Sequence, residues 1–451
     1  MNLRPGIDTP PPKHLILVKL NAPFDDREKM IAALKAIEEV QREACDPERQ
    51  HEGKGCVDGW ALNLLVAFGL RFFLGPLEER GPEEPIPNFP PGGNFTPRHP
   101  SRFGMEKRQV PLYLRKVSAA DDDLFVKRRL AKELGREPSA EEAGAAYTEW
   151  LSECESDLLL YIEGNHRFLC VDFWDRLRKQ VVEPHGLELA CPIDESYGSE
   201  DGRDLIGWYD PISNMDDLIE SDPAYYRSKI YLPHPAPGYP GELETNRDEL
   251  RYNGGTYLVH RKYVEDLDKW SADEFTITDN FGRTWHGEEA RNRALGRDRK
   301  SGRVVCGSSG RLLEKEYDSS EAHLAPLDSH ILQVRGGNPA PFKAPFPPLK
   351  PGETSVFHIQ DVRIRRRGGN WRTLDPETGE PTYGLHFISF QNNIQQTGFE
   401  FIQNIWLLNP LFRLNHDHLL DPDKGIAEPV AGGYYFVPPE HRDYPGEVFF
   451  E

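Results

Sequence analysis

The residues of this 451-residue chain best suited to chemistry lie mostly between Asp328 and Gln391. The run DSHILQVRGGNP offers one histidine, His330. About a strand later comes the cationic run VRIRRRGG, with Arg363, Arg365, Arg366 and Arg367, and then GLHFISFQ from Gly384 to Gln391. Far upstream, IGWYDPISN carries an isolated acid, Asp210. One nitrogen ligand, one fixed cation and one carboxylate are the set with which a haem iron cleaves a peroxide bond.

The elements that must position these groups are legible as apolar runs. HLILVKL (His14 to Leu20) is a strand, and DREKMIAALKAIEEVQREA (Asp26 to Ala44) is an amphipathic helix with Asp26 near its cap. ALNLLVAFG, DLLLYIEG and HRFLCVDF (His166 to Phe173) read as further strands, with FWDRLRKQVVEPHG tending to helix. The second half repeats the order. GGTYLVHRKY is a strand, VEDLDKWS starts a helix, GLHFISFQ is a strand, TGFEFIQNIWLLNPLF is helix-like and GGYYFVPP is a closing strand. This order predicts an α+β fold of two ferredoxin-like halves with antiparallel sheets, residues 1–200 and 201–451, meeting near 195–205. A charged helical insertion falls at about 120–153; a solvated surface helix or an oligomer contact suits it better than catalysis.

Composition narrows the partners. A net charge of −20 repels phosphate backbones, which speaks against nucleic acid and against anionic membranes. The longest apolar stretch, ALNLLVAFGLRFFLG, is too short and too polar to span a bilayer. The six cysteines form no CxxC pair and read as reduced thiols. The opening MNLRPGIDTPPPKH has no apolar export region. A cytoplasmic location is expected.

Several of these segments together resemble the dye-decolorizing (DyP-type) haem peroxidase family. The match rests on Gly207-Trp208-Tyr209-Asp210, Asn253-Gly254-Gly255-Thr256-Tyr257-Leu258-Val259-His260-Arg261 and Gly296-Arg297 before Gly302. It continues with Ser329-His330-Ile331 before Asn338-Pro339, Arg363-Ile364-Arg365-Arg366-Arg367-Gly368, and Gly384 to Gln391. Their order along the chain carries the resemblance more than any one motif. The resemblance implies haem b, with His330 as the axial iron ligand, Asp210 as the distal acid–base group and Arg366 as the cation that stabilises the departing oxygen. It also implies Leu385 and Phe387 as an apolar distal wall, and Arg297 and Arg261 as propionate anchors, an ordinary surface ion pair being the other reading of each. Strand alternation turns Arg365 and Arg367 away from Arg366, toward a propionate or an acidic surface.

The implied function is oxidation of an organic donor by hydrogen peroxide through a ferryl intermediate. The alternatives are a specific biosynthetic oxidation by a haem enzyme and a haem-binding protein with little turnover. The acidic surface does not forbid a homo-oligomer. Two departures stand out. Proline, Pro211, follows the acid where the family has glycine, and Asn409 falls where the family places a carboxylate behind the axial histidine, with Asp417 as a displaced substitute.

Overall fold

The computed structural model describes residues 4–9, 11–45, 62–77, 84–85, 94–95, 102–105, 111, 114, 120–198, 203–207, 215–232, 252–279, 282–307, 309, 311–312, 325–326, 329–334, 362–374, 378–394, 398–403, 418–420 and 425–451. Its principal strands are β1 (His14–Asn21), β2 (Leu62–Gly69), β3 (Leu158–Gly164), β4 (Asp194–Tyr197), β5 (Thr256–Glu265), β6 (Arg365–Arg366), β7 (Gly369–Leu374), β8 (Pro381–Gln391) and β9 (Ala427–Val437). The helices that matter below are α1 (Arg27–Ala44), α2 (Ala120–Leu134), α3 (Ala140–Cys154), α4 (Arg167–Leu177), α5 (Pro223–Ile230), α6 (Gly287–Leu295) and α7 (His330–Gln333).

The ten-stranded sheet closes on itself. Around the ring the neighbours are β7, β4, β1, β3, β2, β9, β5 and β8, and β8 pairs again with β7. Every pairing in the ring is antiparallel. Two short strands lie off it: β6 on β8, and Glu188–Leu189 on β1. The α+β architecture expected from sequence is therefore present, with strands of both halves closing one barrel. Closure removes the exposed hydrogen-bonding edges that an open sheet would present.

Alternation along each strand separates two cores. Leu15, Leu17, Leu65, Ala67, Leu159, Tyr161, Leu258, Ile388, Phe390 and Tyr435 point inward and fill the barrel. Ile16, Val18, Leu64, Val66, Leu160, Ile162 and Val259 point outward, under the helices. The Asp26 carboxylate caps α1 by accepting from the Lys29 amide at 3.0 Å. Met30, Leu34 and Ile37 of α1 then reach the outer core at helical spacing.

One local expectation changes. HRFLCVDF is helix: α4 starts at Arg167 and buries Cys170, Phe173, Trp174 and Leu177, a three-to-four-residue spacing that the short apolar run concealed. Phe168 is left 76% exposed by that periodicity. The insertion forms two helices that are docked on one face. Val126 and Trp150 are buried with Ala431, the Trp150 indole donates to the Val430 carbonyl at 3.0 Å, and Arg129 donates to the Pro429 carbonyl at 3.1 Å. The hairpin thereby covers the point where β9 slips register between Pro429 and Ala431. Among the described residues, no helix is long and apolar enough to cross a membrane.

Candidate functional site

The arginine run continues directly into β7 without a change of register. Arg365 pairs with Phe390, Arg366 with Ser389, the Arg367 amide donates to the Ile388 carbonyl at 2.8 Å, and Gly369 pairs with His386. Residues opposite each other in a sheet share a face. Arg366 therefore stands on the outer face with Ser389, Phe387 and Leu385, while Arg365 and Arg367 enter the barrel with Phe390 and Ile388. Gly368 lies opposite Phe387 and adds no side chain there. Arg366, Leu385 and Phe387 are each half-buried, although β8 has sheet neighbours on both edges. This row is open enough to line a site.

Arg365 and Arg367 correct the sequence reading: neither reaches an acidic surface or a propionate position. Both are fully buried. The Arg365 guanidinium donates to the Ile7 carbonyl at 2.6 Å and the Thr9 carbonyl at 3.1 Å. That of Arg367 donates to the Thr9 carbonyl and, at 2.6 Å, to the Glu163 carboxylate. Two charges in the barrel are tolerable because each finds acceptors there. Alternation supplied the correct face; what lay behind it required the tertiary structure.

His330 is the first residue of α7, after a buried Ser329 whose hydroxyl donates to the Pro326 carbonyl at 2.6 Å. Gly296 ends α6 at φ +86°, the left-handed conformation glycine adopts most readily. A Cβ on Gly296 would lie 2.6 Å from Ile331 Cγ1 and 2.7 Å from Ser329 Oγ. The glycine lets the end of α6 abut the start of α7, and so sets where His330 stands. Ile331 and Leu332 pack with Val304, which bridges to Arg297.

Arg297 follows immediately. It is 5% exposed and donates to the Gly302 carbonyl at 2.8 Å, so it is no surface ion pair. Burial first, and then the nearby charge of Arg366, lower its pKa to about 10. An anion seated near both would offset the mutual repulsion of the two guanidiniums. Arg297 thus adjoins the α6–α7 junction at His330 and also feels the charge of Arg366, which lies on a distant strand in sequence.

Arg261 is placed differently. It pairs with Phe387 across β5 and β8, on the same outer face. Its guanidinium donates to the Tyr434 hydroxyl at 3.0 Å and lies 5.3 Å from the centre of the Phe399 ring, which itself packs on Phe387 at 5.6 Å. It backs the aromatic wall. Asp210, Pro211, Asn409 and Asp417 lie outside the described residues. Gly207, three residues before Asp210 in sequence, lies beside Arg299, whose guanidinium a Cβ there would meet at 2.6 Å.

Sequence reasoning missed a second polar cluster, inside the barrel. The ring nitrogens His260 Nε2 and His386 Nδ1 are 2.9 Å apart, and His386 Nε2 is 3.8 Å from the Asp194 carboxylate. These three residues could bring ligand atoms within 4.8 Å of one another. The surrounding charge opposes a metal ion. Lys262 donates to Asp194 at 2.6 Å, and Lys19 and Lys262 both push the buried His260 further toward neutrality. A dication would meet two ammonium groups and a carboxylate already neutralised. The cluster reads as a hydrogen-bonded core pair. Its signal in the sequence was polar residues at inward positions of GTYLVHRKY and GLHFISFQ.

No protein-family model and no curated protein matches this sequence. Solved structures do. Ferric DtpA from Streptomyces lividans is similar with a TM-score of 0.59 at 16% identity, over 99% of this chain and 95% of that one. A DyP-type peroxidase from Cellulomonas bogoriensis gives 0.53 at 19% identity, over 99% and 96%. A DypB variant from Rhodococcus jostii in complex with heme gives 0.51 at 16% identity, over 96% and 94%. At these identities the likeness defines the fold. The chain has the fold of DyP-type peroxidases along essentially its whole length.

Proposed function

We propose that this protein is a DyP-type haem peroxidase that uses hydrogen peroxide to oxidise an organic donor. One observation carries the reading: Gly296 seats the end of α6 against both sequence neighbours of His330, next to the buried Arg297, which in turn feels the charge of Arg366. The α+β barrel similar to haem-binding proteins supports it, as does the half-open row of Leu385, Phe387 and Arg366.

The residues suit haem b. His330 would offer a ligand nitrogen to the iron, Arg297 a buried cation for a propionate, and Leu385 and Phe387 an apolar wall that excludes water. Bound haem would supply the redox chemistry that reduces peroxide and oxidises the donor. The chain's own share is acid–base and electrostatic. Asp210 takes the proton from one peroxide oxygen and returns it to the other. Arg366, fixed on a strand, steadies the charge that develops on the departing oxygen. Arg261 stiffens the wall through Phe399. Residues 1–200 and 201–451 are the proposed halves, and the cytoplasm is the proposed location.

Peroxide added to the haem-loaded protein tests the reading. Rapid loss of the resting Soret band with turnover of a generic dye is expected. A rapid spectral change without dye turnover would favour a narrow biosynthetic oxidation, and no spectral change would favour a haem-handling protein.

A further inference from the structure

The mechanistic weight on Arg366 raises the question of what holds it. Its strand, β6, is two residues long and has a described sheet neighbour on one side only, β8. A strand end held on one side frays unless other contacts fix it. Here the side chains on either side of Arg366 enter the barrel and end on one short segment, residues 4–9. Arg365 takes the Ile7 and Thr9 carbonyls, and Arg367 takes the Thr9 carbonyl again.

That segment is itself tied from several directions. Asp8 Oδ1 accepts the hydroxyls of Tyr226 in α5 and of Tyr231, each at 2.8 Å, and Asp8 Oδ2 accepts the Arg4 amide at 2.8 Å. The Arg4 guanidinium donates to the Gly254 carbonyl at 3.0 Å and the Pro438 carbonyl at 2.6 Å, just before β5 and just after β9. Ile7 is completely buried in the inner core.

We infer that residues 4–9 form a plug whose carbonyls, gripped by Arg365 and Arg367, set the position of Arg366. The inference rests on the proposed peroxidase reading and deepens it: Arg365, Arg367 and Asp8 are positioning residues, and none of them meets the reactants. The chemistry suits the task. A guanidinium presents a rigid fork of donors, and backbone carbonyls cannot swing away as side chains can. Strand alternation then turns two inward anchors into one outward orientation.

Two variants test it. Arg365→Met keeps apolar volume while removing the grip, and Asp8→Ala leaves all three arginines intact while loosening the plug. In haem-free protein, hydrogen exchange read by mass spectrometry should speed up about tenfold over 365–368 and stay unchanged over 378–391 outside it. In haem-loaded protein, the bimolecular rate of the Soret change with peroxide should fall about ten- to a hundredfold, because roughly 1 Å of misplacement costs that much. Combined with Arg366→Leu, either variant should add nothing further, since both act through one group. Unchanged exchange over 365–368, or rate losses that multiply in the double variants, overturns the inference. If Arg365→Met does not fold, Asp8→Ala decides. If Arg366→Leu alone reacts at the parental rate, the catalytic reading fails, while the exchange data still judge the plug.

Discussion

Replacing Gly296 by alanine perturbs the site without touching any group assigned to it. Two costs arise. The φ of +86° penalises a side chain by about 1–2 kcal/mol. The new methyl group, at 2.6 Å from Ile331 Cγ1 and 2.7 Å from Ser329 Oγ, forces α7 to move; such overpacking costs about 1–3 kcal/mol. The sum is about 2–5 kcal/mol, and the second part should fall on His330. Gly379→Ala is the matched control, since Gly379 has φ +74° with nothing within 4 Å of the added Cβ. Urea unfolding should therefore show Gly379→Ala losing only the first cost and binding haem normally. Gly296→Ala should lose more stability and bind haem at least tenfold more weakly in a Soret titration. Equal stability losses in the two variants, with identical haem affinity, would refute the claim that this glycine sets the α6–α7 junction.

Other consequences are quicker to state. His330→Ala should emerge from desalting without its Soret band, and retention of a normal spectrum would remove the ligand assignment. Arg366→Leu and Asp210→Asn should each keep haem yet react with peroxide about 10²–10³-fold more slowly by stopped flow, the usual loss for one electrostatic donor; parental rates in both would discard the distal assignment. The buried pair in the barrel predicts an acid-sensitive fold. Burial holds His386 down to about 4, so the unfolded chain binds this proton at a higher pH than the folded one. Stability must fall as pH drops from the ordinary histidine range toward 4, by about 2 kcal/mol between pH 7 and pH 5 for His386 alone. Unfolding at both pH values should show that difference shrink in His386→Gln, and an unchanged difference would contradict it.

Much of the fold was legible because its strands are short apolar runs with clear ends. β1, β2, β3, β5 and β9 lie where their periodicity says. α4 was not legible: the five apolar residues in HRFLCVDF satisfy strand and helix alike, and only burial of Cys170, Phe173, Trp174 and Leu177 on one side decides. For the arginine run, alternation fixed which side chains share a face. It carried no information on what occupies the other face, which is a turn more than three hundred residues earlier.

By itself, then, the sequence determined the α+β class, most of the strands and the opposition of Arg366 to Arg365 and Arg367, since these follow from local periodicity. Only the tertiary structure decided that both halves close one barrel, that Arg365 and Arg367 are internal anchors, and that the buried Arg297 feels the charge of Arg366. Those are contacts between distant segments, and chain order does not encode which of many apolar or charged partners a segment finds. Packing selects them, because each buried charge must reach an acceptor and each strand edge must be paired.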